Sequence, residues 1–170
     1  MSLTFLLGGA RSGKSSLAVE LARAWAGPVT FIATAEAGDD EMAERIRVHR
    51  EERPQSWATL EVPLELRRAI EGVPQEAAIV LDCLSLWVAN LLGRGVEPEE
   101  IELESAAVAV LAAERRSLTV AVSNEVGLGV VPATELGRRF RDVLGRVNAR
   151  WAKEAQDAAF VVAGRSLPLS

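Results

Sequence analysis

Gly8-Gly9-Ala10-Arg11-Ser12-Gly13-Lys14-Ser15 fills every position of the pattern G-x-x-x-x-G-K-[ST]. Its surroundings are the ones the pattern needs. Leu3–Leu7 is a short apolar run that reads as a buried strand, and Lys14–Ala26 is an Ala- and Leu-rich stretch that reads as a helix stopped by Gly27-Pro28. Glycines at Gly8, Gly9 and Gly13 let successive backbone N–H groups turn to one side and cradle phosphate oxygens. A helix that begins at Lys14 adds the partial positive charge of its N-terminus. In such a loop Lys14 reaches the β- and γ-phosphates, and the Ser15 hydroxyl is a ligand for Mg2+. The stretch predicts a strand–phosphate loop–helix unit that binds a nucleoside triphosphate.

The same alternation continues along the chain. Predicted strands are Val29–Thr34, Trp57–Val62, Ala77–Leu81, Leu118–Ser123 and Ala159–Ala163. Predicted helices run from Asp39-Asp40 to about Arg53, then over Leu64–Glu71, Leu84–Leu92, Pro98–Arg116 and Ala133–Ala155. The strands are continuous apolar runs, as in a parallel sheet covered on both faces. The expectation is one α/β domain over residues 1–170, with no linker, repeat or low-complexity segment.

Composition narrows the chemistry. The chain has 170 residues, with 19 Lys and Arg against 24 Asp and Glu, a net charge of −5. That balance argues against a protein that binds nucleic acid by broad electrostatics. A single Cys excludes an internal disulfide and points to a reducing compartment. A single His, His49, excludes metal centres built on several His and Cys ligands, and any triad that needs a second imidazole. Ala77–Gly93 is the most apolar region, but Asp82, Ser85 and Asn90 interrupt it and no membrane span is expected. The N-terminus carries no targeting pattern, so the expected location is the cytoplasm.

Three groups of residues are candidates for the rest of a site. Asp82 follows an apolar strand, at the sheet edge where ligands bind in open α/β folds. It reads either as the acidic partner of the metal in a phosphate-loop protein or as a cap for the next helix. Glu125 follows Leu118–Ser123 in the same way and reads as a second such acid or as a turn residue. His49 sits at helical spacing from Met42 and Ile46, among Arg45, Arg47, Arg50 and Arg53. As a mostly neutral imidazole beside an anion-binding cluster it can serve as a nucleophile. The alternative is a solvated helix face whose arginines pair with Glu41, Glu44, Glu51 and Glu52. These features leave a kinase, an ATPase and a nucleotide switch open.

The phosphate loop is followed by Phe31-Ile32-Ala33-Thr34-Ala35, Asp40-Glu41-Met42, Arg45-Ile46-x-x-His49-x-x-x-Arg53-Pro54, Asn124-Glu125-Val126-Gly127-x-Gly129-x-Val131-Pro132, Arg139-Phe140-Arg141-Asp142 and Gly145-x-x-Asn148. In this order the motifs resemble the bifunctional adenosylcobinamide kinase / adenosylcobinamide-phosphate guanylyltransferase family of cobalamin biosynthesis, over nearly the whole chain. The resemblance implies a RecA-like P-loop NTPase fold and a homotrimer with sites near subunit boundaries. It implies that a triphosphate, GTP or ATP, phosphorylates adenosylcobinamide. GMP is then transferred from GTP to adenosylcobinamide phosphate, with His49 as its covalent carrier. It further implies nucleotide contacts along the loop from Gly8 to Ser15, at Ala33, Thr34 and Ala35, at Arg50, Glu51, Glu52 and Arg53, at Glu61 and at Asp82, and Mg2+ at Ser15 and Asp82. Asn124–Pro132 and the arginines Arg138, Arg139, Arg141, Arg146 and Arg150 are implied to touch substrate or a neighbouring subunit. Their alternative reading is a tight turn and a helix surface.

Overall fold

A computed structural model describes residues 3–169 other than Ala37, Asp39 and Glu52, and the side chains of Asp40, Glu41, Met42, Arg45, Val48 and His49 also lie outside the described set. The elements in chain order are β1 (Leu3–Gly8), α1 (Lys14–Arg23), β2 (Val29–Ala33), α2 (Asp40–Glu51), β3 (Ala58–Glu61), α3 (Leu66–Gly72), β4 (Ala78–Asp82), α4 (Leu84–Gly93), α5 (Pro98–Ala113), β5 (Thr119–Asn124), α6 (Glu135–Glu154), β6 (Asp157–Val162) and β7 (Arg165–Pro168). They form one seven-stranded sheet in the order β3-β2-β4-β5-β1-β6-β7. Every pairing is parallel except β6 with β7.

The apolar strands are buried on both faces because each face carries helices. Leu3, Phe5, Ile79 and Leu81 pack with residues of α3 to α6, whereas Leu6, Phe31, Val80 and Val122 pack with Ala18, Val19 and Ala22 of α1. This is the RecA-like α/β arrangement expected from sequence. β5 lies between the phosphate-loop strand β1 and the Asp82 strand β4. The register pairs Gly8 with Asn124 and Asp82 with Val122, so the loop after β1 and the end of β4 reach the same sheet edge.

Several boundaries differ from expectation, each for a local reason. α1 ends at Arg23 instead of Ala26, because the N–H groups of Ala24 and Trp25 turn onto the carbonyls of Leu21 and Ala22. α5 ends at Ala113 instead of Arg116, and this lets Arg115 turn inward. Its guanidinium is buried and donates to the carbonyls of Val73, Pro74 and Ala77 at 3.1, 2.7 and 2.8 Å. The last expected strand begins earlier, at Asp157, and an unexpected strand β7 folds back on it. Pro168, which argues against a central strand, is tolerated there because β7 is an edge.

Candidate active site

The phosphate loop takes the conformation its glycines permit. Arg11 and Gly13 have φ of 55° and 99°, in the left-handed region, and Gly13 is the N-cap of α1. No side chain caps that helix. Its first N–H groups thus keep their capacity for an anion, which is the usual chemistry of a phosphate site at a helix N-terminus. Gly8 has a different duty. A Cβ there would come within 2.2 Å of the Val161 carbonyl oxygen, so glycine allows β1 and β6 to pair up to the start of the loop. Lys14 folds back across the loop, with Nζ 2.6 Å from the Gly9 carbonyl oxygen and 3.3 Å from Ser12 Oγ. Burial pushes the Lys14 ammonium below its ordinary pKa, while the neighbouring Cys83 and Asp82 oppose that shift.

A cavity of about 520 Å3 opens beside the loop. Among the expected residues, Ala10, Arg11, Ser12, Gly13, Lys14, Ser15, Ala33, Ala35, Arg50, Arg53, Glu61 and Asp82 line it. Five segments separated along the sequence therefore contribute to one cleft. The Ser15 hydroxyl and the Asp82 carboxylate are hard oxygen donors on its wall, the type that suits a small divalent cation which keeps water and phosphate oxygens as its other ligands. Asp82 does not cap α4: the N-cap is Cys83, without a side-chain cap bond.

Thr34 does not line the cleft. It is fully buried, its hydroxyl donates to the Cys83 carbonyl at 2.7 Å, and it accepts from the Cys83 N–H at 2.9 Å. Those bonds tie the end of β2 to the residue after Asp82. The tie continues into a buried polar network that sequence reasoning missed. Cys83 Sγ lies 3.0 Å from Ser85 Oγ, which accepts from Asn124 Nδ2 at 2.9 Å. Asn148 of α6 accepts from Ser123 Oγ at 2.6 Å and donates to the Asn124 carbonyl at 3.0 Å. Asn148 thus braces the end of β5 beneath the cleft. Burial, and next the charge of Asp82, push the Cys83 thiol up to about 11. Cys83, Leu86 and Val122 line the cleft although no motif marks them, and Asn124, the first residue of the Asn124–Pro132 motif, lines it as well.

Helix α2 forms the other wall. Ile46 and Arg50 line the cleft from the helix, and Arg53 lines it from just beyond, its guanidinium 3.4 Å from the centroid of the Phe31 ring. Arg50 makes an exposed ion pair with Glu61 at the end of β3. Glu51 pairs with Arg47 on the exposed side of the helix, so these two take the solvated-face arrangement. His49 belongs to α2, one turn after Ile46, and its side chain lies outside the described residues, as does Glu52.

The remaining candidates serve the surroundings. The Glu125 carboxylate accepts from the Gly127 N–H at 2.5 Å, as a turn residue does. Arg138 donates to the carbonyls of Pro132 and Ala133, and Arg139, Arg141, Arg146 and Arg150 pair with Glu97, Asp142, Glu102 and Glu154. Between Glu125 and α6 the chain leaves Leu128, Val130 and Val131 exposed. Among the described residues no helix is long and apolar enough to cross a membrane.

Comparison with known proteins adds a family to this geometry. The model of the family described as cobinamide kinase / cobinamide phosphate guanyltransferase matches residues 4–169. The chain is 43% identical over 165 residues to the bifunctional adenosylcobalamin biosynthesis protein CobP of Pseudomonas aeruginosa, covering 96% of this chain and 95% of that one. It is 38% identical over 176 residues to the bifunctional adenosylcobalamin biosynthesis protein CobU of Escherichia coli, covering 95% and 96%. The CobU protein of Salmonella typhimurium is 39% identical over 175 residues, at the same coverage. Among solved structures, one from Pyrococcus horikoshii OT3 superposes with a TM-score of 0.57 at 8% identity, over 98% of this chain and 85% of that one, a likeness of fold.

Proposed function

This chain belongs to the cobinamide kinase / cobinamide phosphate guanyltransferase family, and on that premise we propose how its cleft carries out both reactions. It is an adenosylcobinamide kinase and adenosylcobinamide-phosphate guanylyltransferase, a single P-loop catalytic domain acting in the cytoplasm as a homotrimer. The observation that carries the reading is the meeting of the uncapped phosphate loop with Ile46, Arg50 and Arg53 in one cleft, because it brings the helix that bears His49 beside the loop that would bind phosphate.

In the kinase step the loop amides and Lys14 hold the triphosphate of GTP or ATP; the aminopropanol hydroxyl of adenosylcobinamide bonds to the γ-phosphorus, the bond from that phosphorus to the β,γ-bridging oxygen breaks, the nucleoside diphosphate leaves and the hydroxyl proton passes to solvent. In the transferase step an imidazole nitrogen of His49 attacks the α-phosphorus of GTP. An N–P bond forms, the bond from that phosphorus to pyrophosphate breaks, and the imidazole sheds its one N–H proton, on the other ring nitrogen, to solvent. A phosphate oxygen of adenosylcobinamide phosphate then attacks the same phosphorus. The N–P bond breaks, the imidazole regains a proton, and adenosyl-GDP-cobinamide leaves. The covalent intermediate divides one difficult displacement into two. Arg50 and Arg53 offer charge to the transferring phosphoryl group, where phosphoryl-transfer enzymes obtain most of their acceleration.

Mg2+ fits the donor set of Ser15 and Asp82, where it supplies neutralising charge to the phosphate oxygens. The other nucleotide contacts proposed are those of the loop from Gly8 to Ser15, Ala33, Ala35 and Glu61. Thr34, Glu51 and Glu52 are retained as contacts only through the family resemblance. The exposed Leu128, Val130 and Val131 support an apolar contact with the corrinoid or a neighbouring subunit. The test is an assay of both half-reactions on adenosylcobinamide with ATP or GTP and Mg2+. The expected products are adenosylcobinamide phosphate, then adenosyl-GDP-cobinamide and pyrophosphate, with both lost in Lys14→Ala. Hydrolysis of the triphosphate with no change in the corrinoid would refute the reading.

A further inference from the structure

The hairpin at the end of the chain touches the phosphate loop. Register pairs Val162 with Arg165, which leaves Ala163 and Gly164 as a two-residue turn, and their φ values of 50° and 73° are both left-handed. That is the signature of a type I′ turn, in which an alanine at the first central position is unfavourable and persists only where the surroundings hold it. β6 pairs with β1 up to Gly8 opposite Val161, so the turn projects past the end of β1, over the loop that begins there. There the Gly164 N–H donates to the Ser12 carbonyl oxygen at 2.9 Å. A Cβ on Gly13 would stand 3.3 Å from Gly164 Cα, so the two backbones are in close contact.

We propose that the Ala163-Gly164 turn is a positioning element for the phosphate cradle. A trans peptide points its C=O and the following N–H in opposite directions. Holding the Ser12 carbonyl toward the hairpin therefore turns the Gly13 N–H away from it, onto the side where Gly13 and Lys14 line the cleft. The Gly164 bond sets the direction of one cradle donor before a phosphate arrives, and pre-set donors bind more tightly than donors that must reorient. The closing hairpin of the sheet is thus part of the nucleotide site's support, although no residue of the turn lines the cavity.

This rests on the phosphate-loop reading above, and the experiment separates the two. Binding of inorganic tripolyphosphate with Mg2+ is measured by calorimetry on the full chain and on Lys14→Ala, Gly164→Pro and Gly164→Asn. Proline removes the donor and cannot adopt φ of +73°. Asparagine keeps the N–H and tolerates the left-handed region, and nothing lies within 4 Å of its added Cβ. The expected result is strong loss in Lys14→Ala, a loss of about tenfold or more in Gly164→Pro, the equivalent of one neutral hydrogen bond of about 1.4 kcal/mol, and near wild-type affinity in Gly164→Asn. Far-UV circular dichroism should be unchanged throughout. Wild-type affinity in Gly164→Pro, or equal losses in Gly164→Pro and Gly164→Asn, overturns the proposal. Tripolyphosphate binding unaffected by Lys14→Ala overturns the phosphate-loop reading and this proposal with it. Should Gly164→Pro not fold, amide hydrogen exchange of the wild type decides. A Gly164 amide protected without ligand and further protected by tripolyphosphate supports the proposal, and an unprotected one refutes it.

Discussion

Replacing Thr34 by valine separates a structural hydroxyl from a ligand-binding one. Valine keeps the shape and removes both bonds to Cys83, the 2.7 Å donation and the 2.9 Å acceptance. The Cys83 carbonyl retains a second, longer bond from the Trp87 N–H at 3.3 Å, whereas the buried Cys83 N–H loses the acceptor that Thr34 provides. An orphaned buried donor costs about 1–3 kcal/mol and a weakened acceptor less, so Thr34→Val should lose about 2–3 kcal/mol. For a domain of this length that lowers Tm by roughly 5–10 °C. Thr34→Ser keeps the hydroxyl and loses one buried methyl, about 1 kcal/mol. Urea and thermal unfolding should therefore rank wild type above Thr34→Ser above Thr34→Val. Triphosphate affinity should follow wild type in Thr34→Ser, since the hydroxyl is spent on Cys83. A Thr34→Val protein within about 0.5 kcal/mol of wild type in stability, the range of ordinary surface substitutions, but weak in triphosphate binding, would show that the hydroxyl acts on the ligand and not on Cys83.

Two further outcomes follow from the titrating groups. The Lys14 ammonium is depressed by burial, so from its folded pKa up to the ordinary 10.5 the unfolded chain binds more protons, and this group's destabilising effect fades as pH rises through that window. A triphosphate favours the charged form, so binding at alkaline pH should take up a proton and weaken as pH rises. Calorimetry in buffers of different ionisation enthalpy should detect the uptake in wild type and not in Lys14→Met. The Cys83 thiol, buried and pushed up to about 11, should resist iodoacetamide in the folded protein at pH 8 and react fully in urea; rapid native alkylation would contradict its burial.

The parts legible in the sequence were those set by neighbours along the chain. Gly8–Ser15 declared both its conformation and its chemistry, because strand, loop and helix are contiguous. The apolar runs declared a parallel sheet, and with it the edge where Asp82 stands. What stayed hidden depends on contacts between distant residues. Nothing along the chain tells that the Thr34 hydroxyl bonds to Cys83, 49 residues away. Asn148 carried no chemistry on its own; its work is to hold Ser123 and Asn124 across 25 and 24 residues. Arg115 read as the end of a helix and is instead a buried staple for carbonyls of the α3–β4 connection. β7 escaped notice because Ala163-Gly164 lacks the Asn or Asp that usually marks a type I′ turn, and Pro168 reads as a strand breaker.

In the proposed transfer one imidazole carries GMP between GTP and the corrinoid phosphate. The direct measurement is incubation with α-labelled GTP and Mg2+, followed by acid and alkali treatment and peptide mass mapping. A phosphorus–nitrogen bond predicts a label lost in acid and kept in base, on the peptide that contains His49 and absent from His49→Ala. Because the chain has a single histidine, one substitution tests every imidazole it possesses. No covalent label on wild type, or equal acid-labile label on His49→Ala, contradicts the account.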